Sequence, residues 1–231
     1  MKLKTVFLAG VVSGALSFAA SAADVFSVNA VGFVNVTIPA GAFQIVSNPL
    51  NQPNNTLAAI LPNAPIGTKV YKFNSGTQTF TIYTMRDGSP NPNFWTGTLV
   101  STATFNPGEG FFVQNPSGSP ITLTFVGEVA QGSALTINVP AGFSLIAPHV
   151  PQSGRLETDL GFVAQNGDKG YFYRGGIYLI ATRRDDVTGW TGVSGVVDVT
   201  SHQPIPAVAE GFFFQNNHSA TTWVRNFSAN N

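Results

Sequence analysis

The stretch Pro107-Gly108-Glu109-Gly110-Phe111-Phe112-Val113-Gln114-Asn115 returns later in the chain as Val208-Ala209-Glu210-Gly211-Phe212-Phe213-Phe214-Gln215-Asn216. The chain is therefore a duplication, and this anchor decides its fold class. Glycine supplies backbone freedom ahead of a run of aromatics that favour a pleated, buried setting. Consecutive Phe111, Phe112 and Val113 point to alternate faces, so both faces of this strand are expected to be covered and the strand to lie inside a sheet. The paired Glu109 and Glu210 invite a catalytic reading. The preferred reading is a turn carboxylate that accepts backbone N–H bonds or pairs with a nearby Lys or Arg.

Working outward, Val34-Asn35-Val36-Thr37-Ile38 alternates at the two-residue period of a strand and ends at Pro39-Ala40-Gly41. The second copy opens the same way 101 positions on, with Leu135-Thr136-Ile137-Asn138-Val139 and Pro140-Ala141-Gly142. Phe43-Gln44-Ile45-Val46 answers Phe143-Ser144-Leu145-Ile146 as the returning strand. Thr56 to Leu61 predicts a single helical turn with Asn55 as cap, with Leu156 to Leu160, of different polarity, as its counterpart. A hairpin follows in each copy, through Asn74-Ser75-Gly76 in the first and Gly175-Gly176 in the second. Then come Arg86-Asp87 with Trp95-Thr96-Gly97, and Arg184-Asp185 with Trp190-Thr191-Gly192, across loops of unequal length. A last strand is expected over Ile121-Thr122-Leu123-Thr124-Phe125 and, in the second copy, within Thr221–Phe227. The short link from Gly127 to Ser133 implies that the two units pack closely or share a sheet.

These readings give an all-β protein of two tandem homologous domains, each a β-sandwich or partly open barrel of six or seven strands, with one pseudo-symmetric β-domain as the alternative. The divisions are 1–22 as a signal peptide, 23–128 as the first repeat and 129–231 as the second. The signal is read from Lys2 and Lys4, an apolar run from Val6 to Ala19, and the small-residue site Ala20-Ser21-Ala22. It places the protein outside the cytoplasm, in the periplasm, at the cell surface or extracellular. No later run reaches membrane-span length.

Charge is sparse: without Lys2 and Lys4 there are 9 basic and 11 acidic residues, so no basic field exists to hold nucleic acid. The chain has no cysteine, which excludes disulfides, thiolate metal sites and lipid attachment through Cys. With 19 Phe and 43% hydrophobic residues, stability rests on the core. His149, His202 and His218 lack ligand spacing, and no cofactor or metal is expected.

The runs Phe43-Gln44-Ile45-Val46-Ser47-Asn48-Pro49-Leu50, Gly67-Thr68-Lys69-Val70-Tyr71-Lys72-Phe73 and Gly108-Glu109-Gly110-Phe111-Phe112-Val113, with a Trp between the last two, resemble uncharacterised β-repeats of exported bacterial proteins. Such repeats occur in Verrucomicrobia, Planctomycetes and Bacteroidetes. The second copy departs from the pattern, with Ala147-Pro148-His149 for Ser47-Asn48-Pro49 and Ala209 for Gly108. The resemblance implies an extracytoplasmic, often surface-associated module and brings no catalytic residues.

Three functions follow in order. The first is a non-enzymatic structural or adhesive module at the cell surface or in extracellular matrix, with a glycan or another surface protein as partner. The second is a carbohydrate-binding module with one site per repeat, built from Arg86, Asp87 and Trp95 and from Arg184, Asp185 and Trp190, because rings stack on sugar faces while charged forks bond hydroxyls. Against it stands the reading that each Trp closes its core and each Arg-Asp pair ties a loop; Tyr83 and Tyr178 fit either. The third is a glycan hydrolase that uses Glu109 and Glu210, which would need about 5 to 9.5 Å between the carboxyl groups.

Overall fold

A computed structural model describes residues 30–88, 94–186 and 189–229; the proposed signal peptide lies outside them. The first half contains β1 (Val31–Ile38), β2 (Phe43–Ser47), α1 (Leu57–Ile60), β3 (Lys69–Asn74), β4 (Thr79–Arg86), β5 (Phe94–Thr96), β6 (Gly110–Gln114) and β7 (Ile121–Glu128). The second repeats it without the helix: β8 (Gly132–Val139), β9 (Gly142–Ile146), β10 (Lys169–Arg174), β11 (Ile177–Arg184), β12 (Gly189–Gly192), β13 (Phe212–Asn216) and β14 (Thr221–Phe227).

Each half is an antiparallel pair and an antiparallel five-stranded sheet. The pairs are β1-β7 and β8-β14; the five-stranded orders are β2-β6-β3-β4-β5 and β9-β13-β10-β11-β12. The anchor strands β6 and β13 are flanked on both sides, as their aromatic runs require. Both predicted hairpins form in register, with Phe73 opposite Phe80 and Tyr173 opposite Tyr178.

Alternation along each anchor divides its side chains between two destinations. Phe111 and Val113 enter the core of the first half with Phe105 and Phe125, and Phe212 and Phe214 enter that of the second with Phe162, Phe172, Trp190 and Trp223. Rings pack edge to face, as Phe105 against Phe111 at 4.9 Å, or stack, as Phe172 on Phe212 at 4.8 Å. Each such side chain contributes roughly 1.5–3 kcal/mol by leaving water. Phe112 and Phe213 point the other way and meet between the halves, at 6.1 Å.

That joint is a third core, of Ile45, Phe112 and Leu145, with Tyr71, Phe73, Tyr173 and Phe213 packed against it. It is also stitched by backbone. Ser47 N donates to Ala209 O at 2.9 Å, and Ala147 N donates to Gly108 O at 3.0 Å. Ser47 and Ala147 are matched positions in the two copies, as are Gly108 and Ala209, so the stitches are two-fold mates. The five-stranded sheets stay separate but close on each other through the turns that precede the two anchors.

The anchors' final Asn is a clasp. Asn115 Nδ2 donates to Ile38 O, Pro39 O and Ser119 O, while its Oδ1 accepts from Ser117 N at 2.9 Å. Asn216 repeats this toward Val139 O and Ser219 O, and accepts from His218 N. Each fully buried amide thus ties the end of β6 or β13 to the turns at the two-stranded layer.

Three local expectations are corrected. The helical turn exists at Leu57–Ile60, but its cap is Thr56, with no side-chain capping bond. Asn55 instead joins an amide network, receiving Nδ2 of Asn48 and the N–H of Gln52 and donating to Asn51 and Asn106. In the second copy, residues 156–160 form only turns, with Gln203 Oε1 accepting from Glu157 N and Thr158 N at 3.0 Å each. The link between halves is shorter than read, because β7 continues to Glu128 and β8 starts at Gly132.

Candidate functional site

The residues singled out from sequence do not form one surface. Trp95, on β5, is 7% exposed and donates its indole N–H to Leu61 O at 3.1 Å. Trp190, on β12, is 1% exposed, and its indole nitrogen has no hydrogen-bond partner. Both rings lie within the cores, so neither presents a face to solvent. Trp223 of β14, which sequence reasoning passed over, takes the matching bond, to Leu160 O at 2.8 Å.

The charged members lie outside, at the ends of β4 and β11. Arg86 and Asp87 are exposed. Arg184 pairs with Asp186, not Asp185; Asp185 accepts from Arg183 at 3.2 Å, which also holds Glu157 at 2.9 Å. Tyr83 and Tyr178 separate as well: Tyr83 is buried against Phe105, whereas Tyr178 is 46% exposed on the opposite face of its sheet.

Both anchor glutamates hold their own turns. Glu109 Oε2 accepts from Lys72 Nζ and from Asn106 N, each at 3.0 Å. Glu210 takes Arg174 in a two-pronged pair, Nε at 2.6 Å and Nη2 at 2.7 Å, and accepts from Ala207 N at 2.7 Å. Each cation also lies over a core ring, Lys72 over Phe105 at 5.0 Å and Arg174 over Phe172 at 5.2 Å. The two copies solve one problem with cations from different strand positions: Lys72 aligns with Phe172, and Arg174 with Asn74.

The surface that the fold assembles instead is aromatic and lies where the outer faces of the two five-stranded sheets meet. Phe73, Phe80, Phe112, Tyr173, Tyr178 and Phe213 are linked by ring contacts, including Phe73–Phe213 at 5.1 Å, Phe112–Tyr173 at 5.5 Å and Tyr178–Phe213 at 6.4 Å. Beyond this cluster each copy adds one pair in the same pose: Phe43–Tyr71 at 5.7 Å and 49°, and Phe143–Tyr171 at 5.6 Å and 51°. Each outer tyrosine donates its hydroxyl to the anchor's glutamine at 2.8 Å, Tyr71 to Gln114 and Tyr171 to Gln215. Burial raises the pKa of Tyr71, Tyr171 and Tyr178, Tyr178 further because of Tyr173, so these hydroxyls stay protonated at neutral pH.

An open trough of about 420 Å³ follows this surface on the side of the second copy, lined by Phe73, Gln78, Phe143, Tyr171, Tyr178 and Phe213. Gln78, left-handed at φ 55°, reaches from the first copy's hairpin to donate to Phe143 O at 3.0 Å. Phe73 also borders a polar recess of about 330 Å³ that contains Lys72, Asn106, Glu109, Thr136 and Asn138. The signal for this surface was present in the hairpins, where Tyr71, Phe73, Phe80 and Ile82 put apolar residues on the face that a one-sided sheet leaves polar.

Among the described residues no group of three or more His, Asp or Glu is placed to hold a metal, and no helix is long and apolar enough to cross a membrane. Comparison with protein-family models, with curated proteins and with solved structures finds no match.

Proposed function

We propose that the protein is an exported, non-enzymatic β-module with a structural or adhesive role at the cell surface or in extracellular matrix. The observation that supports this reading is the use of its ionisable side chains. The two carboxylates that invited an acid–base role each hold the turn of their own anchor against a Lys or Arg and a backbone N–H. Two copies locked through a shared aromatic joint make a stiff unit suited to holding a partner by surface contact. Export rests on Lys2, Lys4 and the apolar run that ends at Ala20-Ser21-Ala22.

The test is to label intact producing cells with a membrane-impermeant reagent and, in parallel, to measure retention of beads coated with the full chain on the same cells. Surface labelling with specific retention is the expected result. A protein recovered only from the cytoplasm, or coated beads that behave as bare ones, would overturn the reading.

A further inference from the structure

We infer that the trough lined by Phe73, Gln78, Phe143, Tyr171, Tyr178 and Phe213 is a binding site for a neutral glycan. The inference deepens the adhesive reading, on which it rests, by naming the chemistry of the partner.

Three features of the trough select that ligand. Its lining holds no charged side chain, so an ionic ligand gains nothing there. The floor is aromatic, with Phe73, Phe143, Tyr171, Tyr178 and Phe213 in the lining and Tyr178 46% exposed. Sugar rings present apolar C–H faces that pack on such rings. The lining also holds neutral hydrogen-bonding groups: the Gln78 amide, and the Tyr171 hydroxyl, which is held by Gln215 at 2.8 Å. A pyranose needs both kinds of surface at once, an apolar face and equatorial hydroxyls around its edge.

The same geometry disfavours an extended peptide. A peptide adding to the edge of β9 needs free backbone groups there, and the Phe143 carbonyl already accepts from Gln78 Nε2. An acyl chain, wholly apolar, would leave the Gln78 amide and the Tyr171 hydroxyl unused. The first copy's counterpart pair, Phe43 and Tyr71, does not line an equivalent trough: the cavity beside Phe43 contains Arg174 and Glu210 and does not include Tyr71. The site is therefore single and belongs to the joint, on residues other than the tryptophans.

The test is titration calorimetry of the full chain with cellohexaose, laminarihexaose, maltohexaose and mannohexaose, beside Tyr178→Ala, Tyr171→Phe and the apolar dye ANS. The expected result is saturable binding of at least one oligosaccharide, weakened about tenfold in Tyr178→Ala and measurably in Tyr171→Phe, with melting temperature unchanged in the latter. Tyr171→Phe removes one oxygen atom, so it keeps the test decisive if Tyr178→Ala fails to fold. No binding of any oligosaccharide, binding indifferent to both variants, or uptake of ANS alone would overturn the site. Coated beads that still adhere to cells, unaffected by competing oligosaccharide, would leave the adhesive reading standing and end the glycan reading.

Discussion

Gly110 and Gly211, the glycines of the two anchors, pack so closely at the joint that a Cβ built on Gly211 would lie 3.0 Å from the Gly110 Cα. The same atom would lie 2.7 Å from Ile45 Cγ2 and 3.0 Å from Val46 O. The absence of a side chain at Gly211 is thus set by packing at the joint, and Gly110 is in tight contact there too, with a built Cβ 3.1 Å from Ile146 O. Gly211→Ala is expected to destabilise the protein by about 1–3 kcal/mol, since backbone and a branched side chain must both shift. Gly32→Ala, where a Cβ meets nothing within 4 Å, is expected to change stability by less than about 0.5 kcal/mol. Urea unfolding of both variants checks the contrast.

The buried Asn clasps predict a second contrast. Asn115→Ala strips hydrogen bonds from three carbonyls and a backbone N–H, and Asn216→Ala from two carbonyls and one N–H. Each loss leaves buried polar groups unpaired, at a cost of about 1–3 kcal/mol per variant, with Asn115 the larger. Equal midpoints for the two variants would contradict the assignment.

Acid stability has two limbs. His149 lies beside the joint, 6.4 Å from the Trp223 ring, with Nδ1 unpartnered. Burial lowers its pKa below 6.5, against a smaller opposing effect from the Thr136 backbone. A depressed histidine means that the unfolded chain binds more protons, so stability is full above about pH 6.5 and falls as pH drops through the lower folded value. Asp159, held at about 2 by hydrogen bonds from Arg155, adds a separate loss as pH falls from 3.8 toward 2. His149→Gln is expected to flatten the upper limb alone in thermal melts between pH 7 and 4.

The two anchor carboxylates are not equivalent in strength. Glu210 is bonded at both oxygens by one guanidinium and its side chain is 11% exposed, whereas Glu109 meets a single ammonium and is 40% exposed. Glu210→Ala is expected to cost about 2–3 kcal/mol and Glu109→Ala about 1 kcal/mol or less, read from urea midpoints. A hydrolytic activity lost in both variants while folding is unchanged would instead restore the catalytic reading.

Much of this architecture was legible in the chain because duplication doubles every signal. The anchor, the opening strand, the hairpins and the closing strands recur at matched positions, and alternation placed Phe111 and Phe112 on opposite faces. The strands β5 and β12 were not legible: three and four residues long, they are held by pairing to β4 and β11 and show no period of their own. The cap at Asn55 was misjudged because a residue type suited to capping also suits an amide network, and only tertiary neighbours choose between them. The tryptophans carried two readings, of which the core reading was the stronger. Matched Trp residues fit a core or a site, and the burial of Trp95 and Trp190 within the two cores matches the first. The aromatic trough depends on how two sheets from different copies face each other, which no spacing within either copy encodes.

The two copies form one unit joined through their anchors, and native-state hydrogen exchange reads that coupling. The slowest amides of β6 and β13 are expected to open with a common free energy, and Gly211→Ala to lower protection in both halves by the same amount. Loss of protection confined to the second half, with β6 unchanged, would contradict it.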